Sequence, residues 1–383
     1  MSFLPNSIDL YEDEALESAL LRLCRVNHFE NYHDLSIEVK FWLEEHHPTV
    51  AGAFPLSLDA VNIYHAKQSS AQRVQALQLL EQLIGLPRFS LLDICFKHTN
   101  AVDLGQYAEV RYKQISIPRE FLRSTIIPIC PECLKESEYV RFNWHINKVE
   151  CCEKHGIKLL RNCPSCHIPL NYMISEDPRR CICGQNLLEN SHREVGFDSW
   201  RDDSVYEAIG SCSLSEKLAV LVFSDKFFPM LAYEDFIVDP SRYIDEYLKG
   251  LCKQSLLIAT EKLNKLSFSQ ISNDFLDDIS AISCLPAKIK EFVADAVITL
   301  ATNEARSTIA NIGDTLVSAR EVAVITGSEL DDIYRLYESG ILVVGKRLRN
   351  EGKLESHNAV FRLRDVASLA LSYSKYRFSQ SAW

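Results

Sequence analysis

The sequence predicts a mainly α-helical protein whose centre is organised by small cysteine-bearing turns. Three observations predict it. Apolar residues recur at helical spacing towards both ends, eight of the 13 cysteines fall within residues 126–195, and a small-residue, glycine, aliphatic pattern with helix-turn-helix spacing stands near the C-terminus. With 383 residues, 47% hydrophobic and 24% charged, the chain has material for roughly two to four compact units, and its composition is not that of a disordered protein.

Residues 1–125 read as an N-terminal helical domain. Leu16, Ala19, Leu20, Leu23 and Val26 form one apolar stripe, and Val74, Leu77, Leu80 and Ile84 form another, which Gly85 and Pro87 end. In ALQLLEQLIGLPRFSLLDICF, Gly85-x5-Leu91 supplies the turn and the core plug of a helix-turn-helix, but the small residue before them is missing. The stretch is expected to be an N-terminal helix-turn-helix or simply two packed helices.

Residues 126–195 carry the chemistry. Cys130-x2-Cys133 is followed by Cys152-x2-His155, then Cys163-x2-Cys166 and Cys181-x-Cys183. One tight turn can direct two thiolates at an ion, and two such turns complete the tetrahedron that Zn²⁺ prefers, so the order gives two four-ligand sites and a tandem zinc-ribbon domain. Proline in CPEC and CPSC suits the turns, as does Gly184 after the last pair. Cys151 is either a neighbour of the ligand Cys152 or its alternative. Four protein ligands leave no open position for water, so the two Zn²⁺ ions are expected to be structural. Cys24, Cys95, Cys212, Cys252 and Cys284 stand alone and are expected to be small core residues. Disulfides and thiol redox chemistry suit a reducing compartment less well.

Residues 196–315 return to helical periodicity, for example over 255–265 and 288–300, as a helical domain. In residues 316–383, Ala323-x3-Gly327-x5-Ile333 has the small residue, turn and plug of a helix-turn-helix; Ser318 and Glu321 form a capping box, and Gly340 a stop. Strands around 341–344 and 359–363, joined by a basic tip and followed by a helix from RDVASLALSY, resemble the winged helix-turn-helix of MerR and excisionase regulators. Its second helix, 329–336, carries three acids and only Arg335. Arg347, Arg349 and Lys353 in the wing, with Arg335, are the expected phosphate contacts.

Net charge is −5 over 1–129, zero over 130–195, −8 over 196–315 and +2 over 316–383, which disfavours extensive binding to naked DNA. No secretory or mitochondrial leader and no membrane span is apparent, so a cytoplasmic protein is expected. The histidines are scattered and no P-loop, nucleophile elbow, deaminase or HExxH pattern occurs, so no catalytic residue is expected.

The succession CPECL, YVRFNWH, CEKHGIKLL, CPSCHIPL, CICG resembles the zinc-ribbon core of the TniQ/TnsD family of transposition target-selection proteins. ESALLRLCRVN is similar to that family's opening helix, and LIGLPRFSLLDICF to its turn, so the likeness covers residues 1–195 well and the rest loosely. The resemblance places the metal ligands at Cys130, Cys133, Cys152 and His155, and at Cys163, Cys166, Cys181 and Cys183; Arg141 and Trp144 between them are expected to be a surface pair and ribbon core. This short, acidic chain is most similar to the TniQ of CRISPR-associated (type I-F) Tn7-like transposons. That implies a bacterial, homodimeric adaptor on a Cascade complex with its guide RNA, linking it to the ATPase regulator TnsC, with guide pairing reading the target. The alternatives are a DNA-binding target selector of TnsD type or a zinc-containing transcription regulator.

Overall fold

The computed structural model describes residues 4–99, 107–189, 194–255, 263, 265–303, 312–346 and 354–380. They form two compact units, Met1–Ser199 and Trp200–Trp383. Within them the protein is mainly helical, as its apolar periodicity predicts.

In the first unit, the stripe of the Leu16–Val26 helix is buried at Leu16, Ala19, Leu20 and Leu23, while Val26 emerges at the surface. The Tyr32–His46 helix starts where the Asn31 side chain accepts the Asp34 N–H at 2.9 Å, and turns Leu35, Val39 and Leu43 inward at helical spacing. The Ser70–Ile84 helix ends at Gly85, whose φ of 72° is the left-handed conformation that glycine adopts without a Cβ penalty. The helix expected next is a single turn, Ser90–Asp93. The buried Glu81 carboxylate holds it in place, accepting the N–H groups of Phe89 and Leu91, each at 2.8 Å.

The unit also contains a three-stranded antiparallel sheet of Lys97–His98, Glu109–Tyr112 and Ile115–Pro118, in that order, within the segment expected to be helical. Val110 pairs with Ile117, and both are fully buried, while Arg111 faces out. The opening helix is tied to the cysteine region by backbone: Ala15 N–H donates to Val140 C=O at 2.9 Å, and the Val140 N–H donates to Ser18 Oγ at 2.9 Å.

In the second unit, an aromatic core of Phe223, Phe227, Phe236 and Phe275 gathers the Leu214–Phe227 helix with Tyr233–Val238 and Phe275–Ala281. The Ala287–Asn303 helix packs on Pro240–Ser255, on Leu363–Gln380 and on Ala319–Thr326. The helices Ala319–Thr326 and Leu330–Glu338 are joined at Gly327, φ 63°, with the expected Ser318–Glu321 capping box and with Ile333 fully buried. The strand Phe361–Arg362 pairs antiparallel with Leu316–Val317, and Val344 bridges to Phe361. The basic tip, with Arg347, Arg349 and Lys353, lies outside the described residues, and so does much of the expected 255–265 segment.

Candidate metal centres

Two clusters of four ligand atoms form in the first unit, and they use the residues the spacing predicts. In each, the four atoms all lie within 4.8 Å of one another.

The first cluster joins a helix to a hairpin. Cys130 is the N-cap of the helix Pro131–Glu136, where proline at the first position is pre-set for the turn, and its sulfur receives the Cys133 N–H at 3.5 Å. Cys152 lies on the strand Cys151–Cys152, which pairs with Ile157–Lys158; the Gly156 N–H closes the turn onto Cys152 C=O at 2.8 Å, and Gly156 takes a φ of 59°. His155 sits on that turn. Its Nδ1 is 3.3 Å from Cys133 Sγ and 3.5 Å from both Cys130 Sγ and Cys152 Sγ, and Cys133 Sγ is 3.5 Å from Cys152 Sγ.

A tetrahedron with Zn–S bonds of about 2.3 Å has S···S edges of roughly 3.8 Å and slightly shorter S···N edges. The donor set and its separations therefore fit Zn²⁺. Hydrogen bonds from the Cys130 and Cys133 thiols hold Cys152 far below its ordinary value, favouring the thiolate that a metal requires. The other ring nitrogen, His155 Nε2, meets Glu136 Oε1 at 3.1 Å, and Lys154 pairs with the second oxygen of Glu136. A carboxylate on the far nitrogen fixes the ring orientation and the tautomer that leaves Nδ1 free to ligate. Sequence reading missed Glu136; its signal was an acid three residues after Cys133, on the same helical face.

The second cluster is made of two turns alone. Cys163 N–H donates to Ile168 C=O at 2.9 Å beneath one turn, and Cys181 N–H donates to Gln185 C=O at 3.0 Å beneath the other. Gly184 has a φ of 87°, so the freedom expected there is used. Cys163 Sγ lies 3.7 Å from Cys183 Sγ, and Cys166 Sγ 3.6 Å from Cys181 Sγ, again the edges of a zinc–thiolate tetrahedron. Burial pushes the Cys163 thiol up, but the N–H groups of Cys166 and Ser165 outweigh it and hold it at about 7.

Cys151 is not a member of either cluster. Its sulfur packs against Gly196, where a Cβ would come within 2.7 Å, and its N–H donates to Asp198 at 3.3 Å. Burial pushes its thiol up to about 11. The alternative between Cys151 and Cys152 is thus decided by strand alternation, which turns Cys152 towards the cluster. Cys24, Cys95 and Cys212 are buried, and burial pushes the first two up to about 12.

Trp144 is ribbon core, 1% exposed, and Arg141 pairs with Asp13, as expected of both. His145 in the same segment is also core: its Nε2 lies 3.0 Å from Tyr172 Oη, and burial, then the Arg123 charge, hold it down at about 3. Of the expected phosphate contacts, Arg335 is exposed but paired with Asp332 at 3.1 Å, and the other three lie outside the described residues.

The family model of TniQ matches residues 5–159, a span that contains the first cluster and stops short of the second. A search of the curated proteins finds no match.

Proposed function

With residues 5–159 a TniQ domain, we propose that this protein is a target-selection adaptor of Tn7-like transposition. It acts by binding: it docks on an RNA-guided Cascade complex as a homodimer in the cytoplasm and helps recruit a TnsC-type ATPase and the transposase. The match over residues 5–159 is the observation that carries this reading. The net acidity of residues 1–129 and 196–315, and an acidic Leu330–Glu338 helix whose Arg335 is neutralised by Asp332, support a protein-docking role over base reading.

In this reading the clusters at Cys130, Cys133, Cys152 and His155 and at Cys163, Cys166, Cys181 and Cys183 hold two structural Zn²⁺ ions. The metals supply cross-links; the chain's own residues supply the surfaces. This reading divides the chain into four functional segments, 1–125, 126–195, 196–315 and 316–383, with the boundary between the two compact units, at Ser199, falling at the start of the third. The last is a winged helix-turn-helix whose two helices meet at Gly327.

The test is to mix the full chain with guide-loaded Cascade and, separately, with duplex DNA at physiological salt, and to weigh the products. Two copies on the ribonucleoprotein and no stable duplex complex is the expected outcome. Tight binding to duplex alone would replace this reading with a TnsD-type selector.

A further inference from the structure

The two turns of the second cluster carry more than ligands. Ile182 lies between Cys181 and Cys183, and Ile168 follows the Cys163–Cys166 turn, where its C=O accepts the Cys163 N–H at 2.9 Å. Ile174 lies on the single-turn helix Tyr172–Ser175, which starts where the Asn171 side chain accepts the Met173 N–H at 3.0 Å. These three isoleucines are 58%, 42% and 69% exposed respectively, so none of them serves as a core side chain.

The fold brings them to one depression. All three line it, together with the buried Ile129, Leu170, Tyr172 and Leu187. Its volume is about 60 Å³, well below the roughly 300–1,000 Å³ of sites that enclose a small molecule or cofactor, so it has room for a side chain and not for such a ligand. Polar groups around it are satisfied from within: the Asn171 amide donates to Thr125 C=O at 3.1 Å, and Ser175 Oγ donates to Asp177 C=O at 2.9 Å. Two charged side chains line it, Asp177 and Arg180. The Asp177 carboxylate is neutralised by Arg25 at 3.4 Å and by Arg179 at 3.5 Å. Arg180 is exposed and has no ion-pair partner among the described residues, so it sets the sign of the charge that an occupant meets. Exposed aliphatic side chains around a buried apolar floor suit an apolar anchor from another protein, and offer nothing to a phosphate backbone.

We propose that this depression docks an acidic amphipathic helix of a protein partner, seating one aliphatic side chain among Ile168, Ile174 and Ile182 and a carboxylate against Arg180. An amphipathic helix presents an aliphatic and an acidic residue on one face when they stand three or four positions apart. The turns of the second cluster thereby gain a role besides closing themselves. They fix Ile168 and Ile182 in place before the partner arrives, so little conformational freedom is lost on docking. The inference does not rest on the adaptor reading, because it specifies the chemistry of the occupant and not its identity.

The experiment uses the full chain and fluorescence anisotropy with three labelled helical peptides. One carries a leucine stripe flanked by glutamates, the second has serines for the leucines, and the third has lysines for the glutamates. We expect the leucine–glutamate peptide to bind and each of the others to bind at least tenfold more weakly. Ile174→Ser/Ile182→Ser should weaken the leucine–glutamate peptide at least tenfold, as the loss of a central anchor does. Arg180→Glu should reverse the preference between the glutamate and lysine peptides. Phe41→Ser, which removes a 61% exposed ring from the Tyr32–His46 helix, should bind as wild type and so separates this site from general apolar adhesion. The substituted side chains are all exposed, so every variant should keep the wild-type metal content and melting temperature. Wild-type protein that binds no peptide at millimolar concentration, or binds all three alike, would overturn the proposal. So would isoleucine variants that bind as wild type, or an Arg180→Glu variant with unchanged preference.

Discussion

The two metal clusters use similar donors in unlike surroundings. At the first, Cys130 is fully buried, Cys133 and Cys152 are nearly so, and a carboxylate backs the histidine. It also sits within the fold's main backbone connections: Ile129 bridges to Leu160, and the Val140 backbone that follows Cys133 holds the opening helix. At the second, Cys183 is exposed and Cys166 half-exposed, and the two turns are closed mainly by their own backbone hydrogen bonds. The family match ends between them, at residue 159. A shared ligand pattern therefore does not imply a shared structural burden: the first cluster anchors the helices, while the second shapes a local excursion.

Removing a ligand separates the two sites most clearly. Cys130→Ser should lose one equivalent of zinc and lower the melting temperature of the first unit steeply, since structural zinc contributes about 10–16 kcal/mol of folding free energy to small metal domains. Metal analysis with thermal melting checks both. Cys183→Ser should also lose one equivalent but shift melting much less; an equal shift at both sites would erase the distinction between them.

Below these comes Glu17, in the opening helix Leu16–Val26. It is fully buried, bonded to Asn62 at Oε1 and unpartnered at Oε2, and burial pushes its carboxyl up to about 7. A pKa raised in the folded state favours the protonated form. Its stabilisation is therefore present in full below about 4.5, the unfolded value, and is lost as pH rises to about 7. Glu17→Gln should remove this dependence, leaving the variant up to about 3 kcal/mol more stable than wild type at pH 8 relative to pH 4.5. Denaturant melts at the two pH values measure it, and a constant difference would refute the assignment. The smallest expected effect is Glu136→Gln, which should weaken metal binding roughly 10–100-fold at the first site and leave the second untouched. Chelator competition that releases both ions together would show that Glu136 has no such role.

Much of this was legible in the sequence because the signals were local. Eight ligands, their grouping into two fours, the capping box at Ser318 and the left-handed glycines at 85, 184 and 327 each follow from spacing within a turn or two. The sheet at 97–118 was not read, although EVRY alternates apolar and polar residues, because its strands are only two to four residues long and too short for a period to stand out. The one-turn helix Ser90–Asp93 was overestimated: Glu81, nine residues upstream of Ser90, sets its position, and helical periodicity says nothing about such an interaction.

Neighbouring residues and backbone preference were thus enough to specify which side chains can bind metal, which stretches turn into helices and where those helices stop. Packing across the fold settled what they could not. It chose Cys152 over Cys151 through the side of a strand that each side chain occupies, and recruited Glu136 to steady His155. It also tied the opening helix to the cysteine region, through Val140 and the Ala15 and Ser18 groups more than 120 residues upstream. Charge and coordination act through space, whereas spacing along the chain fixes only what lies within reach of a single turn or helix.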